Sequence, residues 1–447
     1  MMRTRNPADP SGIGRRACLG LVGAAVLSAP HVLRAETLRA ETLRDVDVVV
    51  IGAGSAGISA ARQLIAWDYE VAVLEARGRI GGRAWTDPGA LGLPWDRGAQ
   101  WLHNGGDNPL RRLARDLGLS LTASDFEDMT ASGTPLDPRH AAERLLAALD
   151  VFDAGLDAMA GGTPPGATLA TLLGGDPWTD AALRLSAISL GGDPDQLSLA
   201  DAITLASGQD WLVEGGTGGL LSRLAAGLPI HTGHAVTGID LRPADHVAVT
   251  GGFGTIRAGQ VVVTVPPPVL AAGGIRFTPD LPPAHGQAMA ALEGAEFLKV
   301  GFRLAERPAE AAEFQLDLPR LEAGEGALIH LDPRMPVAAV IFSGRPAEAL
   351  RRSGAQAVIA EAAEVLRRQT GLTGIASAWN DWSADPFSLG PWARPRPGAE
   401  EAREIYATPI DERLFMAGEA APGPLALTLG GAWEAGLAAA EAIWEVT

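Results

Sequence analysis

An almost uninterrupted β-branched run, Val46–Ile51, is the first strong pattern along the chain. Such a run is typical of a strand that is buried on both faces of a parallel sheet. A glycine-rich stretch follows it and leads into a predicted helix that ends near Trp67. A second predicted strand, Glu70–Leu74, stops at the acidic residue Glu75. This order of elements predicts a βαβ unit that binds a dinucleotide.

Helical and strand patterns alternate over the rest of the chain. Residues 108–207 are predicted to be mostly helical, with loops rich in glycine and proline. The later elements are short strands over 229–264, further strands over 296–304 and 337–342, a helix over 355–369, a strand over 414–418 and a helix over 430–444. We therefore predict an α/β protein in which the far end of the chain completes the nucleotide-binding fold that the βαβ unit begins.

The first 35 residues have the pattern of a targeting segment. Arg3, Arg5 and the pair Arg15-Arg16 precede a mildly apolar run, Ala17–Ala29. This run is shorter than the roughly 20 residues that a stable membrane span requires. The twin arginines predict a bacterial twin-arginine (Tat) export signal, which engages the Tat machinery and delivers the protein to the periplasm. The alternative is an uncleaved N-terminus on a cytoplasmic enzyme.

Composition narrows the function classes. The chain has 447 residues, of which 47% are hydrophobic and 20% charged, as in ordinary globular proteins. Its formal net charge of −17 argues against nucleic acid as a partner and favours the approach of cations, including small amines. Cys18 is the only cysteine, which excludes disulfides and thiolate metal sites. Lys299 is the only lysine among 36 basic residues, which makes that position a candidate for a functional role.

The glycine-rich turn carries the chemistry of a dinucleotide site. Gly52, Gly54 and Gly57 form G-x-G-x-x-G between the first strand and its helix. Gly52 permits the tight turn, Gly54 lets the backbone approach a pyrophosphate, and Gly57 lets the helix pack on the strand. Glu75, placed to bind a ribose hydroxyl, disfavours a 2′-phosphate. The residues alone therefore favour FAD or NAD over NADP.

The residues that follow Glu75 favour FAD over NAD, because they resemble a family of flavin enzymes. Residues 75–83 read E-A-R-G-R-I-G-G-R and resemble the flavin-containing amine oxidase family, which includes monoamine and polyamine oxidases. Residues 98–103, G-A-Q-W-L-H, are similar to the form seen in polyamine oxidases. Further segments that resemble the family, in order along the chain, are residues 211–216, residues 262–267, Lys299, residues 415–419 and residues 431–436.

The resemblance implies FAD as the cofactor and assigns residues to it. The implied cofactor-binding residues are Gly52, Gly54, Ser55, Gly57, Glu75, Ala76, Arg77, Gly82, Arg83, Gly98, Ala99, Gln100, Trp101, Val236, Gly418, Glu419, Leu429 and Ala432. Among them, Arg77 and Arg83 are expected to bind the pyrophosphate, and the Leu429 amide is expected to face the flavin ring. Family members with covalent flavin use a cysteine where this chain has Pro391, so non-covalent FAD is expected.

The resemblance also implies four residues around the position where the substrate meets the flavin ring. Lys299 lies in an alternating strand pattern, and the family's lysine bridges through water to flavin N5. A lysine buried there would have a lowered pKa. Trp392 takes the position of one wall of the family's aromatic cage, whereas Thr428 stands where several members have a second aromatic residue. His103 has two open interpretations: it orients the amine, or it is a satisfied histidine near the cofactor.

These expectations combine into one hypothesis. A glutathione-reductase-like, Rossmann-type FAD-binding domain is expected over 36–107, 208–290 and 400–447. An inserted mixed α+β substrate domain is expected over 108–207 and 291–399. The implied reaction oxidises a C–N bond of a primary or secondary amine, preferably a polyamine, with O2 or a periplasmic carrier as acceptor and no metal. The alternatives are a monoamine or heterocyclic amine substrate, a related flavin desaturase acting on a C–C bond, or an inactive flavin-binding scaffold.

Overall fold

The predicted βαβ unit lies within an eight-stranded sheet. The computed structural model describes residues 45–124, 126–159 and 162–447, so the predicted export signal and Cys18 lie outside the described residues. The strands of this sheet are Val46–Ile51, Val71–Glu75, Ile230–Thr232, Val236–Asp240, Val247–Gly251, Gly254–Val263, Arg276–Thr278 and Leu414–Met416. The helix of the βαβ unit spans Ser55–Ala66, close to its predicted bounds.

Five of these strands run parallel and join distant parts of the chain. Their spatial order is Ile230–Thr232, Val71–Glu75, Val46–Ile51, Gly254–Val263 and Leu414–Met416. The long strand Gly254–Val263 pairs in its first half with an antiparallel neighbour and in its second half with the C-terminal strand. The prediction that the far end of the chain completes the nucleotide-binding fold is therefore confirmed.

The first and last helices of the described chain pack directly on each other. Ser59 Oγ donates to the carbonyl of Trp433 at 2.7 Å, across 374 residues of sequence. Gly436 allows this contact, because a Cβ atom built there would lie 2.1 Å from the carbonyl oxygen of Ala56. The helix Leu429–Val446 thus lies against the fingerprint helix, and its N-terminus points into the same region of the molecule.

A second sheet has six strands and carries the lysine. Its strands are Met129–Ser132, Phe297–Arg303, Phe314–Asp317, Ala327–Leu331, Val337–Ser343 and Ala376–Trp379. Leu298, Val300 and Phe302 point into an apolar core shared with the helix Ala355–Thr370. Because side chains alternate along a strand, Lys299 points to the opposite face.

The predicted helical region also contains strands that the pattern missed. Leu121–Ser124 pairs with Asp210–Val213, and Met129–Ser132 pairs with Phe314–Asp317. Each of these strands is only four residues long and is held by partners far away in sequence, so local periodicity could not reveal it. The expectation of a mostly helical 108–207 was therefore wrong for these two segments.

Smaller sheets, thirteen α-helices and two short 3-10 helices complete the described chain. Trp101–Leu102 joins the Leu121–Ser124 sheet, and the remaining two-stranded sheets pair Thr86–Asp87 with Trp95–Asp96 and Leu292–Gly294 with Ala393–Pro395. The α-helices are Ser55–Ala66, Pro109–Asp116, Pro138–Ala158, Pro177–Leu190, Leu199–Ala202, Gly216–Leu224, Pro267–Ala271, Pro283–Ala291, Leu318–Glu322, Gly344–Arg352, Ala355–Thr370, Ala402–Ala407 and Leu429–Val446. Among the described helices, none is both long and apolar enough to cross a membrane.

The two large sheets draw on different parts of the sequence. All eight strands of the first sheet fall within residues 36–107, 208–290 and 400–447. All six strands of the second sheet fall within residues 108–207 and 291–399. The exact domain boundaries remain a prediction, because the described residues pack as one compact unit.

Candidate active site

A cavity of about 820 Å³ collects the residues that the sequence singled out. Twenty-one of the twenty-two predicted site residues line it, from Glu75 and Val236 in the first sheet to Lys299 in the second. The exception is Gly57, whose predicted role is packing and not ligand contact. A Cβ atom at Gly57 would lie 1.9 Å from the carbonyl oxygen of Gly52, so the helix could not approach the strand with any larger residue there.

Gly54 differs from Gly57 in what surrounds it. A Cβ atom at Gly54 would meet no protein atom within 4 Å, and the residue lines the cavity at the N-terminal end of the helix Ser55–Ala66. The first amides of a helix have no intrahelical partners, and they carry a partial positive charge. The space in front of Gly54 is therefore suited to an anionic group such as a pyrophosphate.

Glu75 is fixed at the end of the second parallel strand. Its carboxylate is buried and accepts hydrogen bonds from the amides of Ala53 at 2.9 Å and Arg77 at 2.8 Å. Each carboxylate oxygen keeps lone pairs beyond these two contacts. Glu75 also lines the cavity, which is the geometry that a ligand of ribose hydroxyl groups requires.

Two arginines beside the fingerprint are held by carboxylates that sequence reasoning did not pair with them. Arg77 contacts Asp385 at 2.7 Å, and Arg83 contacts Glu419 at 2.9 Å. Glu419 also accepts from the amide of Ala393 at 3.2 Å. Both guanidinium groups line the cavity, so they can turn further donors towards a bound phosphate while their carboxylate partners fix their orientation.

Lys299 is buried in an aromatic and carbonyl environment. Its Nζ donates to the carbonyl of Gly98 at 2.6 Å and to Oε1 of Gln100 at 3.0 Å. The rings of Trp95 and Trp101 have their centroids 5.5 and 5.8 Å from Nζ. Desolvation by burial lowers the pKa of Lys299 to about 8, although nearby carboxylates oppose this shift. The expected buried lysine with a lowered pKa is thus present.

Trp392 lines the cavity beside the strand that carries Lys299. Its ring packs on Phe297 with a centroid distance of 4.8 Å, and its Nε1 donates to the carbonyl of Leu190 at 3.2 Å. Thr428 lines the cavity, but its hydroxyl caps the helix Leu429–Val446 by accepting from the amide of Gly431 at 3.1 Å. Thr428 therefore fixes the helix end whose first residue, Leu429, also lines the cavity.

His103 is paired and partly open to the cavity. Its Nδ1 lies 2.7 Å from a carboxylate oxygen of Asp210, and 47% of its side chain is exposed. Desolvation lowers the pKa of His103, but the charge of Asp210 and the hydrogen bond to it outweigh that effect and raise the pKa overall. The pair can hold a proton beside the cavity, and Asp210 orients the ring.

Sequence reasoning did not find one cavity residue, Asp153, or a buried pair behind the cavity wall. Asp153 lines the cavity from the helix Pro138–Ala158, and desolvation together with the charges of Asp150 and Asp157 raises its pKa. Gln100, which accepts a hydrogen bond from Lys299, also contacts His330, and His330 in turn contacts Glu313. No local motif marks these residues, because each comes from a separate segment, and only the tertiary fold brings them together.

The residues present fit a flavin dinucleotide. The cavity offers an open helix N-terminus at Gly54, a buried carboxylate at Glu75 and two oriented guanidinium groups, all suited to the nucleotide and phosphate parts. The same cavity continues to Lys299 and Trp392, where an apolar ring system would be enclosed. One continuous space therefore serves both a dinucleotide and a small substrate.

Comparison with known proteins places the chain in a family. The model of the family described as flavin containing amine oxidoreductase matches residues 55–148 and 141–444. Polyamine oxidase 3 of Oryza sativa subsp. japonica is 28% identical over 430 residues, which cover 88% of each chain. Lysine-specific histone demethylase 1 homolog 3 of Oryza sativa subsp. indica is 29% identical over 453 residues, but the match spans 90% of this chain and only 54% of that protein.

The same family fold is seen in solved structures. A double mutant of putrescine oxidase, redesigned for cofactor binding, aligns with a TM-score of 0.76 at 20% identity, covering 90% of this chain and 99% of that one. The chain thus spans about half the length of the histone demethylase relatives and almost all of the oxidase. The chain belongs to the flavin containing amine oxidoreductase family, and its cofactor is FAD.

Proposed function

We propose that this protein oxidises a C–N bond of a primary or secondary amine, with polyamines as the preferred substrates. The observation that carries the proposal is the position of Lys299, buried between two tryptophan rings on the wall of the same cavity that the dinucleotide fingerprint lines. A buried lysine without a salt-bridge partner is costly, so its presence on a cavity wall indicates a chemical use.

Side chains of this protein can position the amine substrate and accept a proton from it. FAD, when bound, supplies the acceptor for the hydride that leaves the α-carbon of the amine. A neutral Lys299 uses both of its N–H groups on Gly98 and Gln100, which leaves its lone pair to accept a proton from the cavity. The Trp392 ring provides a flat wall that restricts the orientation of a bound amine.

The preference for polyamines rests on charge in the cavity. Asp153 and Asp210 both line it, and a second ammonium group of the substrate would be stabilised by either carboxylate. The raised pKa of Asp153 indicates that a nearby cation would relieve its unfavourable environment. The match to a polyamine oxidase over 88% of that protein supports the same substrate class.

A panel of amines tests the proposal. We expect spermidine, spermine and N-acetylspermine to reduce the bound flavin faster than benzylamine or tyramine, as followed by stopped-flow absorbance without oxygen. Reduction only by benzylamine, tyramine or a cyclic amine would contradict the polyamine preference while keeping amine oxidation. A flavin that no amine reduces would refute the amine oxidase proposal, leaving a desaturase or an inactive scaffold.

Two further parts of the hypothesis concern attachment and location. We propose that FAD is held non-covalently, since Pro391 lines the cavity where covalent members carry cysteine. Acid precipitation should then release all the flavin, and yellow precipitated polypeptide would contradict this.

We also propose Tat-dependent export, and replacing Arg15-Arg16 by Lys-Lys should retain the precursor in the cytoplasm. Unchanged delivery to the periplasm would rule out that route.

A further inference from the structure

A buried chain of hydrogen bonds leads away from Lys299. Gln100 Oε1 accepts from Lys299 Nζ at 3.0 Å, and Gln100 Nε2 lies 3.2 Å from Nδ1 of His330. His330 Nε2 in turn lies 3.0 Å from Oε1 of Glu313. His330 is 1% exposed and Glu313 is 6% exposed, so this pair lies behind the cavity wall and is absent from the cavity lining.

The donors and acceptors fix one arrangement of this chain. Because the ammonium form of Lys299 has N–H donors and no acceptor, the Gln100 oxygen faces the lysine in that form, and the Gln100 NH2 group faces His330. His330 therefore accepts at Nδ1 and carries its proton on Nε2, which donates to Glu313. Glu313 also accepts a hydrogen bond from Ser124, whose oxygen accepts from Trp101 Nε1 at 2.9 Å.

Aromatic packing holds the histidine in this place. The ring of Trp101 meets His330 edge to face with a centroid distance of 5.0 Å, and Phe314 lies at the same distance on another side. An ionisable pair enclosed among aromatic rings is costly unless every polar atom is satisfied. Here every polar atom of the imidazole has a partner, which makes its orientation rigid.

We propose that His330 and Glu313 are positioning residues for Lys299. They hold the Gln100 amide with its oxygen towards the lysine and thereby set the pH at which Lys299 loses its proton. Glu313 fixes the histidine tautomer, the histidine fixes the amide, and the amide presents an acceptor to Lys299. This inference rests on the proposed function only for its catalytic consequence, since the protonation of Lys299 can be measured without turnover.

Other charged groups around Lys299 act in a different way. Asp96 and Asp332 raise the pKa of the lysine through their charge, against the larger effect of desolvation. Asp332 is itself paired with Arg334 at 2.7 Å, and Asp96 is held by hydrogen bonds from Thr217 and Thr86. Substitutions at His330 leave all of these groups in place, so they test the hydrogen-bond chain alone.

The sign of the expected effect follows from the acceptor. A carbonyl oxygen stabilises the ammonium form of lysine more than the neutral amine. Without an acceptor at the position of His330 Nδ1, the Gln100 amide can rotate and turn its NH2 group towards Lys299. The ammonium form then loses a partner, and the pKa of Lys299 should fall by about one unit.

The single lysine makes a direct measurement possible. Growth on lysine labelled with ¹³C at Cε gives one side-chain NMR signal, and its pH titration in the FAD-bound protein reports the pKa of Lys299. We compare His330→Gln, which removes the acceptor but keeps a group near Nε2, with His330→Asn, which keeps a polar atom near Nδ1. Ile329→Val, on the opposite face of the same strand, controls for disturbance of that strand.

The outcomes separate the inference from its alternatives. We expect the Lys299 titration to move to lower pH in His330→Gln, and to remain as in the unsubstituted protein in His330→Asn and Ile329→Val. In His330→Gln, the rate of flavin reduction should also begin to rise at a correspondingly lower pH. An unchanged titration in His330→Gln, or equal shifts in both His330 variants, would overturn the inference. If no amine reduces the flavin, the proposed function fails, whereas the NMR result still decides the role of His330.

Discussion

The two ends of the cavity are built in different ways. At the nucleotide end, recognition comes from backbone amides, glycines and one carboxylate, most of them within residues 52–83. At the reacting end, side chains converge from separate segments, with Lys299 on one sheet, Trp392 on a loop and Asp153 on a helix. The first end depends on chain geometry, and the second depends on tertiary packing.

This difference determines how each end responds to substitution. A backbone that approaches a phosphate tolerates no added side chain, so single changes there should act in an all-or-none manner. In a wall of side chains, each residue makes a partial contribution to the position or charge of the substrate. Single changes there should therefore slow the reaction without preventing folding or cofactor binding. The following substitutions test this contrast, beginning with the largest expected effect.

Gly54→Val should abolish FAD binding while the protein still folds. A Cβ atom at this position would meet no protein atom within 4 Å, and the valine side chain would extend into the space in front of the helix N-terminus. Flavin absorbance of the purified protein measures binding, and circular dichroism measures folding. Gly286→Val is the matched control, because that exposed glycine also has open space and lies away from the cavity. Stoichiometric flavin in Gly54→Val would break the proposed contrast.

Lys299→Met should keep FAD and slow the reaction by about a hundredfold or more, the range typical of a lost acid–base group. Stopped-flow absorbance should show the loss in flavin reduction, reoxidation or both. Leu298→Met is the control, since its side chain points from the same strand into the apolar core on the opposite face. Unchanged rates of both half-reactions would mean that Lys299 is only structural.

Trp392→Ala should lower turnover as well as affinity, by between about tenfold and a hundredfold in kcat/KM, because the flat wall restricts the substrate. Trp392→Phe keeps an aromatic face against Phe297 but loses the hydrogen bond to Leu190, so it should retain most of the activity. Equal losses in the two variants would assign the role to the indole N–H and not to the ring face.

Asp153→Asn should give the smallest effect, and only with substrates that carry a second ammonium group. We expect KM for spermidine to rise about tenfold, equivalent to one lost ion pair of moderate strength. Benzylamine should be unaffected. Glu143→Gln, at an exposed position of the same helix that does not line the cavity, is the control. A similar rise for benzylamine would remove Asp153 from substrate selection.

The same contrast explains what the sequence could predict. The strand Val46–Ile51, the helix after it and Glu75 are close together in sequence, and their bounds and contacts agree with the pattern. Periodicity also located the lysine strand, and the lone lysine made Lys299 conspicuous. By contrast, the short strands Leu121–Ser124 and Met129–Ser132 depend on partners distant in sequence, which local patterns do not record.

The partners of the predicted residues were harder to find than the residues themselves. Arg77 and Arg83 were expected at the cofactor, but Asp385 and Glu419 as their carboxylate partners were not paired with them. His330 lies on a strand that the pattern did not predict, and Glu313 immediately precedes another such strand. Contacts of this kind arise when separate segments pack, and composition and spacing do not specify that packing.

The burial of Lys299 has a consequence for the chemical durability of the protein. It is the only lysine in the chain, so the described surface presents no primary amine from a side chain. Oxidation of an amine followed by hydrolysis releases an aldehyde, and aldehydes modify proteins chiefly by condensing with exposed lysine amines. The described surface therefore gives such a product no side-chain amine with which to condense, and the enzyme should tolerate concentrations of its own aldehyde that would modify lysine-rich neighbours.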